Sequence, residues 1–235
     1  MPSHLTRKEL KQDKFAVEVG QTVDFFAVHR KQVTQYGGVA LVVALLVAGV
    51  FYYRNFQSSA RQKVLGEAIA LTSAPITQAP SPNGALSFQT EPARRDAITK
   101  AFTKIAADYS GDDEGYIAEY FLAAQAADTS KLDDARKKYQ EVADHAGGNY
   151  ASLAKLALAQ IDFAENRSAE AETLLKDLID HPTDMVSKAQ ATITLARGIG
   201  QTKPDEARKM LQEIVNDKSD ISPLATAAIG ELPQK

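Results

Sequence analysis

The chain has 235 residues, no cysteine and a formal net charge of −3 at neutral pH. The absence of cysteine excludes disulfides, thiolate metal sites and lipid attachment through a cysteine. Residues 91–235 carry eighteen Lys and Arg against twenty-five Asp and Glu, whereas residues 1–36 carry six against four. The acidic balance of the larger part argues against a nucleic-acid-binding surface.

The N-terminal tail, residues 1–31, is predicted to contain an amphipathic helix. Phe15, Val19, Val23 and Phe26 recur at helical spacing and form one apolar stripe. The cations near its ends fit a helix lying on the cytoplasmic leaflet of a membrane. A solvated helix that simply precedes the next segment is the alternative.

The stretch 32–54 is predicted to be a single transmembrane helix. Residues 32–53 contain no charge and would cover roughly 33 Å as a helix, close to the thickness of a bilayer core. Tyr36 at one end and Tyr52 and Tyr53 at the other fit aromatic belts at the two interfaces. A buried helix of a soluble domain is the alternative, which such a long uncharged run disfavours.

The flanks of this stretch predict its processing and its orientation. The length of the preceding tail favours an uncleaved signal anchor over a cleaved signal peptide, although Ser58 and Ala60 offer small residues at peptidase spacing. Six Lys and Arg residues precede the uncharged run. Fewer follow it closely, and Arg54 and Arg61 are among them. The positive-inside rule therefore favours a cytoplasmic N-terminus and a C-terminal part on the opposite side.

Helical periodicity continues over 55–71, which predicts a stalk, and stops over 72–92. The second segment holds Pro75, Pro80, Pro82 and Pro92 and is predicted to be a linker or ordered loop, because proline fixes φ and removes a hydrogen-bond donor. From residue 93 onward every periodic segment predicts a helix. The predicted helices are 93–109, 114–128, 132–145, 150–165, 169–180, 185–197, 205–216 and 223–232.

Three of these helices share a pattern that repeats every thirty-six residues, marked by Ala135, Ala171 and Ala207. A large residue follows each alanine after four positions and an apolar residue after seven. These residues are Tyr139, Leu175 and Leu211, then Val142, Leu178 and Ile214. Alanine lets two helices approach, and the later positions fill the gap on the same face. The sequence therefore predicts an all-α solenoid of stacked helical hairpins over residues 93–235.

This pattern resembles the tetratricopeptide repeat. Leu122 with Ala123, and Leu158 with Ala159, stand where the first helix of that family has Leu followed by Gly or Ala. The period departs from the ~34 residues of the family, Trp is absent, and the terminal proline is matched only near Pro182.

The resemblance implies a protein-binding groove lined by the first helix of each pair. The residues expected to reach it, some of which we expect to serve packing instead, are Tyr116, Tyr120, Gln125, Asn149, Lys155, Gln160 and Gln190.

The layout as a whole resembles the ancillary subunit family of the bacterial Sec translocon. The shared features are the short tail with Val23 to Phe26, one uncharged run, the exit Tyr52-Tyr53-Arg54 and the C-terminal repeats. The resemblance implies an inner-membrane protein with periplasmic repeats, whose partners are translocon subunits, periplasmic chaperones or nascent chains. The alternative is a scaffold that self-associates through its terminal helix and organises envelope or division complexes.

No motif in the sequence predicts catalysis, a cofactor or a metal site. The four histidines are scattered and none has metal-ligand spacing. His145 and His181 end their helices, where a cation is favoured. Asp112, Asp113 and Glu114 lack the ligand pattern of a calcium loop and are predicted to start a helix, with Asp113 as a candidate cap. We therefore expect a binding protein and not an enzyme.

Overall fold

The computed structural model describes residues 30–77 and 86–233, and the regular secondary structure in these ranges is helical apart from one isolated β-bridge. The helices are α1 (Arg30–Thr72), α2 (Glu91–Asp108), α3 (Asp113–Asp128), α4 (Leu132–His145), α5 (Gly148–Ala164), α6 (Ser168–Asp180), α7 (Lys188–Ile199), α8 (Pro204–Asn216) and α9 (Ser222–Glu231). The predicted all-α class is confirmed. The amphipathic helix predicted near residues 15–26 lies outside the described residues.

The first helix, α1, is 43 residues long and joins two segments that were predicted separately, 32–54 and 55–71. It continues past the uncharged run through Arg54, Arg61 and Lys63. Across residues 30–77 and 86–233, no helix combines the length and the apolarity that crossing a membrane requires. The predicted transmembrane helix at 32–54 therefore has no support in the described part of the chain.

The chain forms two compact units, residues 1–60 and residues 61–235. In the first unit, the described side chains of α1 between Tyr36 and Tyr52 are exposed, with Leu45 and Leu46 both at 64%. The second unit holds the end of α1 and all the later helices. The described part of the first unit is a helix with exposed apolar side chains, and the described part of the second unit is an array of packed helices.

Within the second unit, the end of α1 packs as a helix of the array. Leu65 and Ala68 are buried in one cluster with Phe102 and Ile105 of α2. Arg61 lies 3.2 Å from carboxylate oxygens of both Asp112 and Glu114, before and within α3. Residues 61–72 thus share a buried cluster with α2, a role that the predicted stalk did not include.

The loop between α1 and α2 is ordered where it is described. Ile76 and Phe88 form a parallel β-bridge, in which Thr77 N donates to the Phe88 carbonyl at 2.8 Å and Phe88 N donates to the Pro75 carbonyl at 3.0 Å. Arg94 Nη1 also donates to the Ala74 carbonyl at 3.2 Å. The two described ends of the segment predicted as a linker or ordered loop are therefore fixed to each other and to α2.

The helices α4, α6 and α8 place the predicted repeat pattern in the core. Ala135, Ala171 and Ala207 are fully buried, which lets neighbouring helices approach. The large and apolar positions that follow are buried as well, namely Tyr139, Leu175, Leu211, Val142, Leu178 and Ile214. Burying a large apolar side chain contributes roughly 1.5–3 kcal/mol, so these positions hold successive hairpins together.

The largest difference between a predicted and an observed helix start is at α7. Its predicted start was residue 185, whereas the helix begins at Lys188. Ser187 caps it by accepting a hydrogen bond from Gln190 N at 3.1 Å. Val186 N donates to Thr183 Oγ1 at 3.1 Å, which keeps Val186 in a turn. A cap and a side-chain turn therefore moved the start by three residues.

Candidate functional site

Three clefts lie between helices of the array in the described part of the chain. Two larger clefts, of about 920 and 750 Å³, lie between α2 and α4 and between α4 and α6. A smaller notch of about 210 Å³ lies between the start of α3 and the start of α5. We call this space the notch, and it is lined by Asp113, Ile117, Ala146, Gly147, Gly148, Asn149 and Tyr150.

Several polar side chains of the two larger clefts are engaged within the protein. Lys138 Nζ lies 2.5 Å from Glu119 in the first cleft, and Arg136 lies 2.6 Å from Asp162 in the second. Thr99 Oγ1 donates to Gln125 Oε1 at 2.7 Å. Because charges already paired within a protein gain little from a ligand, we do not place the binding site in these clefts.

Two glycines keep the notch open at the amino end of α5. Gly147 is the residue before the helix and provides no side-chain cap. A Cβ atom on Gly147 would lie 3.7 Å from Asp113 Oδ1, and one on Gly148 would meet nothing within 4 Å. Neither glycine has a positive φ, and the missing side chain of Gly147 leaves space beside the Asp113 carboxylate.

The start of α3 is held in place by a close contact with the end of α2. A Cβ atom on Gly115 would lie 2.2 Å from the Tyr109 carbonyl oxygen. Asp112 N also donates to that carbonyl at 3.0 Å. The position of Asp113 and Tyr116 therefore depends on a glycine between them.

Two groups of aromatic side chains lie on α3, on α4 and at the start of α5, and Tyr150 among them lines the notch. We call them together the aromatic cluster: Tyr116, Tyr120, Tyr139, His145 and Tyr150. Tyr116 stacks on His145 with ring centroids 5.9 Å apart and an interplanar angle of 13°. Tyr120 meets Tyr150 and Tyr139 edge to face, with centroids 5.6 and 5.5 Å apart. Such pairs add roughly 0.5–1.5 kcal/mol each beyond area burial.

Burial raises the pKa of three phenols in the aromatic cluster, Tyr120, Tyr139 and Tyr150. For Tyr120 the neighbouring Tyr150 adds a smaller contribution in the same direction. Their hydroxyl groups therefore stay protonated at physiological pH and can donate hydrogen bonds. Tyr139 is buried, whereas Tyr120 and Tyr150 are half-buried and reach the surface.

The structure places two of the seven predicted groove residues at the notch, where Asn149 lines it and Tyr120 contacts Tyr150. A third, Tyr116, stacks on His145, which lines the cleft between α4 and α6. Two of these, Tyr116 and Tyr120, also pack within the array, as expected for some of the set.

The other four predicted residues lie elsewhere. Gln125 lines the cleft between α2 and α4, and Lys155 Nζ pairs with Asp177 at 2.6 Å. Gln160 is exposed near the end of α5, and Gln190 lies in the first turn of α7. A partner-binding role for any of the seven stays a prediction.

Sequence reasoning missed Asp113, His145 and Tyr150 as residues of one site. Asp113 was predicted as a candidate cap, but Asp112 occupies the N-cap position and makes no side-chain cap hydrogen bond. The prediction for His145 at a helix end is confirmed, because its Nδ1 lies 3.1 Å from the Glu141 carbonyl oxygen. The sequence did contain one signal for such a site. Asp113 and the Gly147-Gly148 pair both stand at helix starts, and each is close to a tyrosine.

The described ranges were also searched for metal ligands. Within residues 30–77 and 86–233, no three His, Cys, Asp or Glu side chains are placed to hold a metal ion. The prediction that the protein needs no cofactor stays a prediction.

Comparison with known families identifies the C-terminal fold. Residues 142–220 match the model of a family described as a tetratricopeptide repeat-like domain. No curated protein and no solved structure matches the chain. The predicted tetratricopeptide-like repeats are thus confirmed over these residues, and repeats of this class bind other proteins by presenting an extended surface.

Proposed function

We propose that this protein is a protein-protein interaction module and that the notch, with the aromatic cluster beside it, is the surface that contacts the partner. The observation that carries this proposal is the coincidence of an open notch with half-buried tyrosines. Tyrosine offers a large apolar face and a polar tip, and it is enriched at protein interfaces for that reason.

The packing of the aromatic cluster makes it suitable for binding. Tyr120 is held between Tyr139 and Tyr150 by ring contacts of 5.5 and 5.6 Å. A side chain already fixed by neighbours loses little conformational entropy when a partner binds. The cluster is therefore a preorganised contact, in contrast to the exposed Gln160.

We also propose that the module works at a membrane, as an accessory factor of the Sec translocon or of envelope chaperones. Support comes from the sequence, in the uncharged run 32–53 and in a layout that resembles the ancillary translocon subunit. The expected topology has a cytoplasmic N-terminus and an extracytoplasmic repeat array. Extraction of cell membranes with alkaline carbonate tests the attachment, which release of the full chain would contradict.

Photocrosslinking in cells tests the binding surface. A photoreactive residue would replace Asn149 in the notch, Gln160 on the exposed end of α5, or Lys137 between the two larger clefts. We expect Asn149 to capture translocon subunits or envelope chaperones in higher yield than Lys137. Equal yields at Asn149 and Lys137, or capture only at Lys137, would contradict the assignment of the notch.

A self-associating scaffold is the second candidate function. The observation in its favour is Leu224 on α9, the terminal helix, which is 55% exposed. Capture of only this protein or of division proteins at every position would favour the scaffold. A photoreactive residue at Leu224 would then give the strongest homodimer crosslink.

A further inference from the structure

We propose that the notch recognises a basic side chain, arginine or lysine, on an extended segment of the partner protein. This inference rests on the proposed function and adds the chemistry of the partner. It depends on one carboxylate, on the aromatic rings around it and on the charge of the whole array.

The carboxylate in the notch differs from its two neighbours in the sequence. Asp112 and Glu114 both pair with Arg61, at 3.2 Å in each case. Asp113 points toward the turn before α5, and in the described part of the chain no cation forms an ion pair with it. A single arginine thus pairs with both flanking carboxylates, whereas the carboxylate in the notch is left for an external cation.

The aromatic rings provide the second half of a cation site. Tyr150 lines the notch together with Asp113, and Tyr120 meets the Tyr150 ring edge to face. A guanidinium group stacks on aromatic faces while its N–H groups pair with a carboxylate. An aromatic ring and a carboxylate on one small cavity therefore favour arginine most and lysine next.

The size of the notch limits what can enter it. Its volume of about 210 Å³ is below the range of roughly 300–1,000 Å³ that holds drug-sized ligands. A single side chain projecting from an extended segment fits this space, whereas a folded domain or a whole cofactor does not. The open space beside Gly147 and Gly148 lets the backbone of that segment approach.

The charges near the notch act in opposite directions. The amino ends of α3 and α5 each carry about half a positive charge, which repels a cation, whereas the carboxylate carries a full negative charge. Because Asp113 is exposed, solvent and salt weaken the effect of the helix ends, and direct pairing with the carboxylate decides the preference. The opposition keeps the affinity of one side chain modest. The excess of acidic residues over residues 91–235, twenty-five against eighteen, attracts basic segments at longer range.

A pair of synthetic peptides tests this proposal. Fluorescent Gly-Ser-Leu-Arg-Leu-Ser-Gly would be compared with the same peptide carrying citrulline, which has nearly the shape of arginine without its charge. Binding to the full-length protein is measured by fluorescence anisotropy. We expect the arginine peptide to bind about tenfold more tightly, a difference of about 1.4 kcal/mol.

Variants locate the effect within the protein. Asp113→Asn should reduce the preference for arginine to less than about twofold, and Tyr150→Leu should weaken both peptides. Asp134→Asn removes the same charge from the cleft between α2 and α4 and should leave the preference unchanged. Far-UV circular dichroism confirms that each variant is folded.

The outcomes separate this proposal from the proposed function. Equal affinity for the two peptides, no binding of either, or an unchanged preference in Asp113→Asn would overturn cation recognition. Capture of a partner at Asn149 would still stand in that case as evidence for protein binding. Failure of capture at Asn149 would instead overturn the proposed function.

Discussion

The hairpin α3–α4 and the hairpins that follow it share one repeat pattern but bury it with different chemistry. At the large position of the repeat α4 has Tyr139, whereas α6 and α8 have Leu175 and Leu211. The buried members of the cluster around Leu175 and Leu211 are all aliphatic. The cluster around Tyr139 continues outward through Tyr120 and Tyr150 to the surface.

The large position of the repeat therefore serves two purposes in one array. A leucine is sufficient to hold the hairpins together, since α6 and α8 use one. The tyrosine of α4 fills the same space and in addition supports the rings beside the notch. We therefore treat the later hairpins as scaffold and the α3–α4 hairpin, with the start of α5, as the contact region.

The largest expected effect is on stability and concerns the aliphatic hairpins, which we treat as scaffold. Leu175 is fully buried, so Leu175→Ala should lower the free energy of unfolding by about 2–5 kcal/mol, through lost burial and the cavity that remains. Urea unfolding of the full chain, followed by circular dichroism, measures this loss. Leu224→Ala on the exposed face of α9 is the control and should change the midpoint little. Equal midpoints for the two variants would show that the aliphatic hairpins do not carry the stability.

The next effect concerns the start of α3. Gly115→Ala would place a Cβ atom 2.2 Å from a backbone oxygen, so the helix must shift, at a cost of about 1–3 kcal/mol. The shift should also reduce partner capture from Asn149, because Asp113 and Tyr116 move with the helix. The control is Gly66→Ala, where the added Cβ meets nothing within 4 Å and alanine favours a helix by up to about 1 kcal/mol. A Gly115→Ala protein with unchanged stability and capture would refute the role of this contact.

A smaller effect on stability, with a larger one on binding, is expected at Tyr139. Tyr139→Leu installs the residue that α6 and α8 use at the same position, so the unfolding free energy should fall by only about 1–2 kcal/mol. Partner capture at Asn149 should fall by more than this loss of stability explains, since Tyr120 loses its edge-to-face neighbour. Parallel measurement of the urea midpoint and the crosslinking yield distinguishes the effect on stability from the effect on binding. Normal capture with reduced stability would mean that Tyr139 is a packing residue and no more.

The smallest expected effect is the pH dependence of two paired carboxylates. Burial raises the pKa of Asp162 although Arg136 lies beside it, whereas hydrogen bonding from Lys155 lowers the pKa of Asp177. A raised pKa makes the folded state lose stability as the pH rises above the unfolded value of about 3.9. A lowered pKa gives stability that is present above that value and is lost as the pH falls through the folded pKa.

Two variants separate these contributions. As the pH rises from acidic to neutral, the stability of the wild type relative to Asp162→Asn should fall, and that relative to Asp177→Asn should increase. Urea midpoints of the three proteins over this range measure both trends. Trends of the same sign would contradict the assignment of a buried carboxylate to Asp162 and a solvated one to Asp177.

Most of the helical array could be predicted from the sequence, because its signals are local. The spacing of Ala135, Ala171 and Ala207 and the caps and breaks between helices require only neighbours in the chain. The end of α1 was missed as part of the array because α2, with which it shares a buried cluster, follows a long proline-containing segment. Only the tertiary contacts of Leu65 with Phe102 show that it belongs to the array.

The candidate site was predicted less completely, because its parts come from distant positions. Tyr116 and Tyr120 were found from the first-helix pattern, but Tyr150 and Asp113 meet only through the packing of α3 against α5. The ion pairs of Arg61 were also beyond sequence reasoning, since they join residues about fifty positions apart. The chemistry of the notch therefore depends on which charges the fold neutralises, and a sequence pattern does not show this.

The most direct test of the contact region is amide hydrogen exchange of the full chain, alone and with the partner that Asn149 captures. Slower exchange on binding is expected at the start of α3 and in residues 146–150, with little change in α7 and α8. Protection confined to α7, α8 or α9 would contradict the account, because the aliphatic hairpins would then be the binding surface and the aromatic cluster part of the scaffold.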